Sequence, residues 1–217
     1  MNILIIGANG FTGRRILNDL VAREIYNITA CSLRNDIQSG DGYQFIRADI
    51  RNASEVRALF KEVCPDVVIN TSALSVPDFC ETHHNEARAT NITAVEHLAR
   101  ACEQYGSRFI HLSTDFVFDG RTDRLYTEED EPNPVNYYGI TKLEGEERVA
   151  ECCGNYAIVR VVVVYGKALP GQHGNIVQLV ANKLRSGETI RVVSDQWRTP
   201  TFVGDISHAV EQLMHHP

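Results

Sequence analysis

Lysine is scarce in this chain of 217 residues, with four in all, at positions 61, 142, 167 and 183. No run of Lys and Arg could track a phosphate backbone or an anionic bilayer, and 21 basic against 28 acidic residues give a net charge of −7. Nucleic acid and membrane surfaces are therefore not expected partners. Long apolar stretches are lacking as well. The opening "MNILIIGANG" has no basic region before it and its apolar run soon ends in glycine, so it reads as neither a signal peptide nor a membrane span. The cysteines at 31, 64, 80, 102, 152 and 153 show no CxxC spacing, and the adjacent pair could not join without strain. Reduced thiols and a cytoplasmic location are expected. "CETHH" sets Cys80, His83 and His84 on one helical face, but no second cluster offers the remaining ligands of a tetrahedral metal, so no metal site is expected. With no internal repeat or low-complexity stretch, the length and 43% hydrophobic content suit one main domain.

What is present is an alternation of strand-like apolar runs with helix-like periodic segments. The strand candidates are residues 2–7, 28–33, 44–49, 66–72, 108–114, 156–166 and 189–193. Most are continuous rather than alternating in polarity, as expected of strands covered on both faces. Between them, Val56, Leu59, Phe60 and Val63 share one helical face, as do Val95, Leu98, Ala99 and Cys102. The expected fold is α/β, a doubly wound parallel sheet of the Rossmann type over residues 1–165. Residues 120–134, "GRTDRLYTEEDEPNP", form a long polar excursion closed by prolines. After Val164 come a Gly-rich loop (Gly166, Gly171, Gly174), a helix from Asn175 to Leu184, and a returning strand and helix. Residues 166–217 are thus expected to form a small C-terminal lobe.

"IIGANGFTGRRI" spaces Gly7, Gly10 and Gly13 three apart, directly after the first strand and opening a helix. Glycines there permit a tight turn and close approach of the backbone to a pyrophosphate, and the helix N-terminus offers unpaired N–H groups to it. Asn9, Phe11 and Thr12, within the same turn, join the candidate cofactor contacts. At the end of the second strand, where NAD sites place a carboxylate for the ribose hydroxyls, the chain reads "CSLRND". Ser32 and Arg34 sit at that edge, and Arg34 could pair with a 2′-phosphate, which favours NADP. Asp36 keeps NAD open, and Arg14 and Arg15 are further candidates for phosphate. Asp49 and Ile50 fall where an adenine would lie, and Thr71, Ser72 and Ala73 close the fourth strand over the middle of the cofactor.

Scarcity of lysine singles out "NYYGITK" (136–142), which places Tyr138 four residues before Lys142 and hence on the same helical face. A phenol with a pKa of about 10 exchanges protons poorly at neutral pH, and a neighbouring ammonium stabilises its anion. Tyr137 has no lysine four residues on. By spacing alone, an incidental pair on a surface helix stays open.

Together "STDFVFDG" (113–120), the pattern P…YGxTKLxGE around Tyr138, "TNITAVEHLARAC", "IVRVVVVYG" and "DQWRTPTFVGDIS" resemble the extended short-chain dehydrogenase/reductase superfamily. Within it the chain is similar to the dTDP-4-dehydrorhamnose reductase group, over essentially its whole length. The resemblance implies a catalytic triad of Thr114, Tyr138 and Lys142, with Tyr138 donating a proton to a keto oxygen and Lys142 also holding the nicotinamide ribose. It implies a nucleotide-sugar substrate, met by Asp115, Val117, Phe118, Val163, Gln196 and Arg198, and leaves a homodimer open. Two positions depart from the group: Val163 stands where a Trp is frequent, and Arg198 where a Gly is frequent. Relatives continue the lobe beyond the helix that ends near "EQLMHHP". The implied activity is NAD(P)H-dependent reduction of a 4-keto deoxysugar. An epimerase or dehydratase of the same superfamily is an alternative, as is a dinucleotide-binding regulatory subunit like that of methionine adenosyltransferase.

Overall fold

A computed structural model describes residues 1–168, 172 and 174–216. In chain order the elements are β1 (Asn2–Ile6), α1 (Phe11–Val21), β2 (Asn27–Ser32), β3 (Gln44–Arg47), α2 (Ala53–Val63), β4 (Val67–Asn70), α3 (Pro77–Cys80) and α4 (His84–Arg88). A π-turn (Ala89–Thr93) leads into α5 (Ala94–Tyr105) and β5 (Arg108–Thr114), and a 3-10 turn (Asp115–Val117) follows. Then come α6 (Tyr137–Cys152), β6 (Tyr156–Val161), α7 (Ile176–Arg185) and α8 (Val203–His215).

All six strands pair in parallel in the order β3-β2-β1-β4-β5-β6. The unbroken apolar run of β1 has a simple cause. Leu4 and Ile6 pack with Val56, Leu59 and Phe60 of α2 and Val95, Leu98, Ala99 and Cys102 of α5. Ile3 and Ile5 face the other way, onto Ile16, Leu17 and Leu20 of α1 and Ile206, Val210 and Met214 of α8. Each such side chain, fully buried, is worth about 1.5–3 kcal/mol of transfer free energy. Helix ends are set locally: Asn52 caps α2 by accepting from Ser54 N–H (3.0 Å), Asn136 caps α6 by accepting from Gly139 N–H (2.8 Å), and Gly106 closes α5 at φ +69°.

Two sequence expectations change. The strand expected at 189–193 is absent: those residues are irregular, with Val192 and Val193 exposed. The strand expected at 156–166 stops at Val161, although a fragment of ladder continues, with Thr201 N–H donating to Val162 (2.9 Å) and Tyr165 N–H to Thr201 (3.0 Å). The expected helix after Asn175 is α7, capped by Asn175 and Gln178; Gly171 of the expected loop lies outside the described residues. α8 packs on α1 and the sheet, so the final helix belongs to the layer of the main domain rather than to a lobe of its own. Among the described residues no helix is long and apolar enough to cross a membrane.

In this topology the strand order reverses between β1 and β4. The crevice beyond their C-terminal ends is where such sheets take ligands, and the Gly-rich turn, residues 71–73 and the end of β5 all face it.

Candidate active site

The turn after β1 is shaped by two crowded glycines. Gly7 adopts φ +81°, and a Cβ there would lie 2.8 Å from Ser72 N and from Thr71 Oγ1. A Cβ on Gly13 would meet the Gly7 carbonyl oxygen at 2.4 Å, so α1 is seated directly on the turn. Thr71 locks the arrangement by donating to the Ile6 carbonyl (2.9 Å). The first N–H groups of α1, from Phe11, Thr12 and Gly13, have no intrahelical acceptor and form a donor cradle beside Gly10. These residues fit a dinucleotide pyrophosphate.

Asn9 has a different job from the contact expected of it. Its amide donates to the Asn35 carbonyl (2.9 Å) and accepts from Arg14 (3.0 Å), tying the turn to the loop after β2. Arg14 is buried and paired with Asp36, so its charge is spent inside the protein rather than offered to phosphate. Burial works against the Asp36 carboxylate, but Tyr43 OH (2.6 Å) and the Arg14 guanidinium hold it below the usual range. Arg15 pairs with Asp19 (2.7 Å) and lies over the Phe202 ring. The exposed Arg34 guanidinium, by contrast, has no hydrogen bond or ion pair among the described residues. Farther along, Asp49 is clamped by Arg51 (2.7 Å) and Ile50 is buried, its carbonyl 3.1 Å from His97 Nδ1. A recess of about 280 Å³ opens beside them, lined by Leu33, Arg47, Ala48, Asp49 and Glu55. Ser72 folds its hydroxyl back onto Asn70 (2.6 Å), with Ala73 next to it.

At the reactive end, Thr114 ends β5 and Tyr138 and Lys142 lie on the first turns of α6. Two close approaches bring them together. A Cβ on Gly139 would come within 2.2 Å of the Phe116 carbonyl oxygen, and one on Gly145 within 2.4 Å of that of Asn91, so α6 is pressed against the 3-10 turn and the π-turn. The Asn136 cap sets the helical phase and separates the two tyrosines. Tyr137 stacks on His84 (ring centroids 3.8 Å apart), whereas Tyr138 is buried, edge-on to Phe116 (5.6 Å).

The electrostatics differ from the sequence expectation. Burial pushes the Tyr138 phenol up to about 12, opposed by a hydrogen bond with Thr114, and Lys142 is not among the groups that move it. Lys142 points instead into the core, donating to the Leu112 carbonyl (2.8 Å) with His111 Nε2 3.1 Å away. Burial draws its ammonium down to about 8, against the Glu146 carboxylate, which holds it up. Glu146 is itself paired with Arg160 of β6 (2.6 Å).

On the expected substrate side the residues divide. Asp115 accepts from Thr114 Oγ1 (3.1 Å) and pairs with Arg198 (2.7 Å), whose guanidinium also covers the Phe116 ring (4.8 Å). Phe118 is flanked by the Tyr126 ring (4.3 Å) and Arg160 (5.1 Å). Val117 is a correction: it is fully buried, because the 3-10 turn rotates it into the core, and cannot meet a substrate. Gln196 is exposed and makes no contact with the triad, and Val163 is held at φ +37°, rarely adopted by a β-branched residue. Of the metal-like trio, His83 stacks on Phe79 (3.6 Å), His84 on Tyr137, and Cys80 is buried.

A family model, the RmlD substrate binding domain, matches residues 1–217. The chain belongs to this family. A relative from Haloferax volcanii, a probable low-salt glycan biosynthesis reductase, is 35% identical over 217 residues, covering 99% of this chain and 71% of that protein. Methionine adenosyltransferase 2 subunit beta of Danio rerio is 30% identical, over 97% of this chain and 62% of that protein. Among solved structures, the dTDP-4-dehydrorhamnose reductase of Bacillus anthracis in complex with NADP superposes with a TM-score of 0.82 at 28% identity, covering 99% of this chain and 70% of that one. The chain thus spans about two thirds of the length of these relatives.

Two buried residues of this family member escaped the sequence reading. Asn91, in the π-turn, bridges Leu74 N–H (2.8 Å) and Thr141 Oγ1 (3.0 Å), joining the end of β4 to α6. His111 sits beneath Lys142. Asn91 lay within a quoted motif and His111 within a strand, but neither position carried a pattern that marked it as polar and buried.

Proposed function

We propose that this chain is a reductase that uses NADPH on the 4-keto group of a nucleotide-activated deoxysugar, with dTDP-4-dehydrorhamnose as the leading substrate. The observation that carries the reading is the meeting of Tyr138, on the first turn of α6, with Thr114, at the end of β5, on the side of the sheet that also carries the glycine cradle of β1 and α1. The resemblance of the whole chain to dTDP-4-dehydrorhamnose reductases supports the same assignment.

A nicotinamide dinucleotide, when bound, supplies the hydride. The turn of Gly7, Gly10 and Gly13 and the N–H groups of Phe11, Thr12 and Gly13 would hold its pyrophosphate; Lys142, buried and donating to the Leu112 carbonyl, would have to turn out of the core to reach its ribose. Asp36 is engaged by Arg14 and Tyr43 while the Arg34 guanidinium has no partner among the described residues, which supports a 2′-phosphate and hence NADP. Thr114 orients the substrate carbonyl, and Tyr138 gives its proton to the keto oxygen. A phenol raised by burial is a fitting acid: it stays protonated until the oxygen beside it gains negative charge. Asp115, Phe118 and Arg198 are the candidate substrate contacts.

NADPH oxidation, followed by absorbance with dTDP-4-dehydrorhamnose, tests the reading; a chain that binds NADPH and oxidises none of it with this or other nucleotide 4-keto sugars would overturn it. The similarity to methionine adenosyltransferase 2 subunit beta favours a second reading, a dinucleotide-binding regulatory subunit. Stable association with a methionine adenosyltransferase catalytic subunit, without sugar turnover, would establish that one.

A further inference from the structure

Lys142 is the end of a buried chain of hydrogen-bonding groups. Its Nζ lies 3.1 Å from His111 Nε2, while His111 Nδ1 lies 3.0 Å from Asn70 Nδ2. Asn70 Oδ1 accepts from both the backbone N–H (3.0 Å) and the hydroxyl (2.6 Å) of Ser72. Asn70, His111 and Lys142 are all buried, so bulk water does not repair a mismatched contact among them.

Counting protons makes this chain two-state. With Lys142 neutral, every contact is satisfied as arranged: Nε2–H donates to the amine, the Asn70 amide donates to Nδ1, and Ser72 donates twice to Oδ1. An ammonium can only donate, so Nε2 must then accept and the imidazole proton must move to Nδ1. Nδ1–H would face the NH₂ of Asn70, two donors at 3.0 Å. The amide resolves this by turning Oδ1 to the imidazole and NH₂ to the Ser72 oxygen, which leaves the Ser72 N–H and hydroxyl hydrogen without their former acceptor. The imidazole does not carry the charge in either state, because burial and the neighbouring ammonium keep its pKa well below the usual value.

We propose that His111 and Asn70 are positioning residues that couple the proton on Lys142 to the hydrogen-bonding state of Ser72, with the imidazole tautomer as the moving part. Between the two states Nζ gains or loses one proton, the imidazole stays neutral, and the amide makes a half turn. An acceptor bound at Ser72 therefore favours the ammonium form of Lys142. The inference deepens the reductase reading, in which Lys142 belongs to the candidate site, but the coupling is a property of the folded chain. Among the described residues, the charged groups that face this chain are Glu146 on α6, which holds the Lys142 charge up, and through it Arg160 on β6; β4 presents the amide of Asn70.

Heteronuclear NMR of the ¹³C,¹⁵N-labelled chain between pH 6 and 10, with no substrate added, tests the coupling. His111 should remain neutral and exchange its Nδ1–H tautomer for Nε2–H with the same midpoint as Lys142, near pH 8. One tautomer throughout while Lys142 titrates, or a charged imidazole, would overturn it. His111→Phe removes an acceptor from the ammonium, so the Lys142 midpoint should fall by about one pH unit. His111→Gln, which restores an acceptor, should recover most of that shift, and an unmoved midpoint in folded His111→Phe would also overturn the proposal. Should His111→Phe fail to fold, the wild-type tautomer measurement decides alone. None of these readouts requires turnover, so a chain that never oxidises NADPH would remove the proposed function and leave this test intact.

Discussion

The dinucleotide half of the molecule and the stretch from Gly166 to Phe202 are built on opposite terms. In the first, β1 is buried along nearly its whole length, and even an arginine, Arg14, is buried and paired. In the second, α7 has no buried residue, Leu179 and Val192 are exposed, and Trp197 is 96% exposed. Among the described residues its ties to the rest run largely through hydrogen bonds and rings: Gln172 donates to the Gly10 carbonyl (3.0 Å), Thr201 pairs with Val162 (2.9 Å) and Tyr165 (3.0 Å), Phe202 lies against Tyr165 (5.7 Å), and Arg198 pairs with Asp115. The proposed proton donor is thus set in the core, and the proposed substrate contact Arg198 is hung from it by an ion pair.

Substitutions can break or sharpen this contrast. The largest effect is expected from Tyr138→Phe, which should lower NADPH oxidation with a nucleotide 4-keto sugar by about 10²–10⁴-fold, with NADPH affinity retained. Tyr137→Phe, whose ring stacks outside the site, should change the rate less than about twofold. Next is Gly13→Ala: its methyl would meet the Gly7 carbonyl, and thermal denaturation should register a loss of about 1–3 kcal/mol together with weakened NADPH binding.

Acid–base behaviour supplies a third prediction. Rates should fall as pH rises through about 8, where the Lys142 ammonium is lost. The effect on stability has the opposite sign. Folded Lys142 releases its proton near 8 and the unfolded residue near 10.5, so between those values the unfolded state holds more protons and stability rises with pH. Urea midpoints measured across that window should climb in the wild type and stay flatter in Lys142→Met. Arg198→Ala, breaking a half-exposed pair, should raise KM several-fold while moving stability by less than about 1 kcal/mol. Smallest of all, Leu179→Ser on α7 should change the unfolding free energy, measured by urea denaturation, by less than about 0.5 kcal/mol.

How much could be read beforehand follows the same division. Gly7, Gly13 and the strand runs of the core were legible because close packing restricts residue type along contiguous sequence. That Thr114 and Tyr138 would meet was legible through motif resemblance, and Lys142 was singled out by the same motif. Their electrostatics were not: Lys142 turns toward a histidine 31 positions away, a contact that exists only once β5 and α6 pack. Val117 was misplaced because neighbours of a site residue do not share its direction in a 3-10 turn. The "TIRVV" run had strand composition but forms no strand, because composition alone does not supply a pairing partner. Asn9, taken for a cofactor contact, is a latch, its amide consumed by the loop after β2.

The seating of α8 over α1 bears on how the protein is made. Ile16, Leu17 and Leu20 share a core with Ile206, Val210 and Met214, nearly two hundred residues later in the chain. The part of that face of the sheet not covered by α1 therefore stays open on the ribosome until α8 emerges, long after β1 and α1 have been made. That exposed apolar face is a natural target for a nascent-chain chaperone, and a premature stop before Val203 would leave it permanently bare.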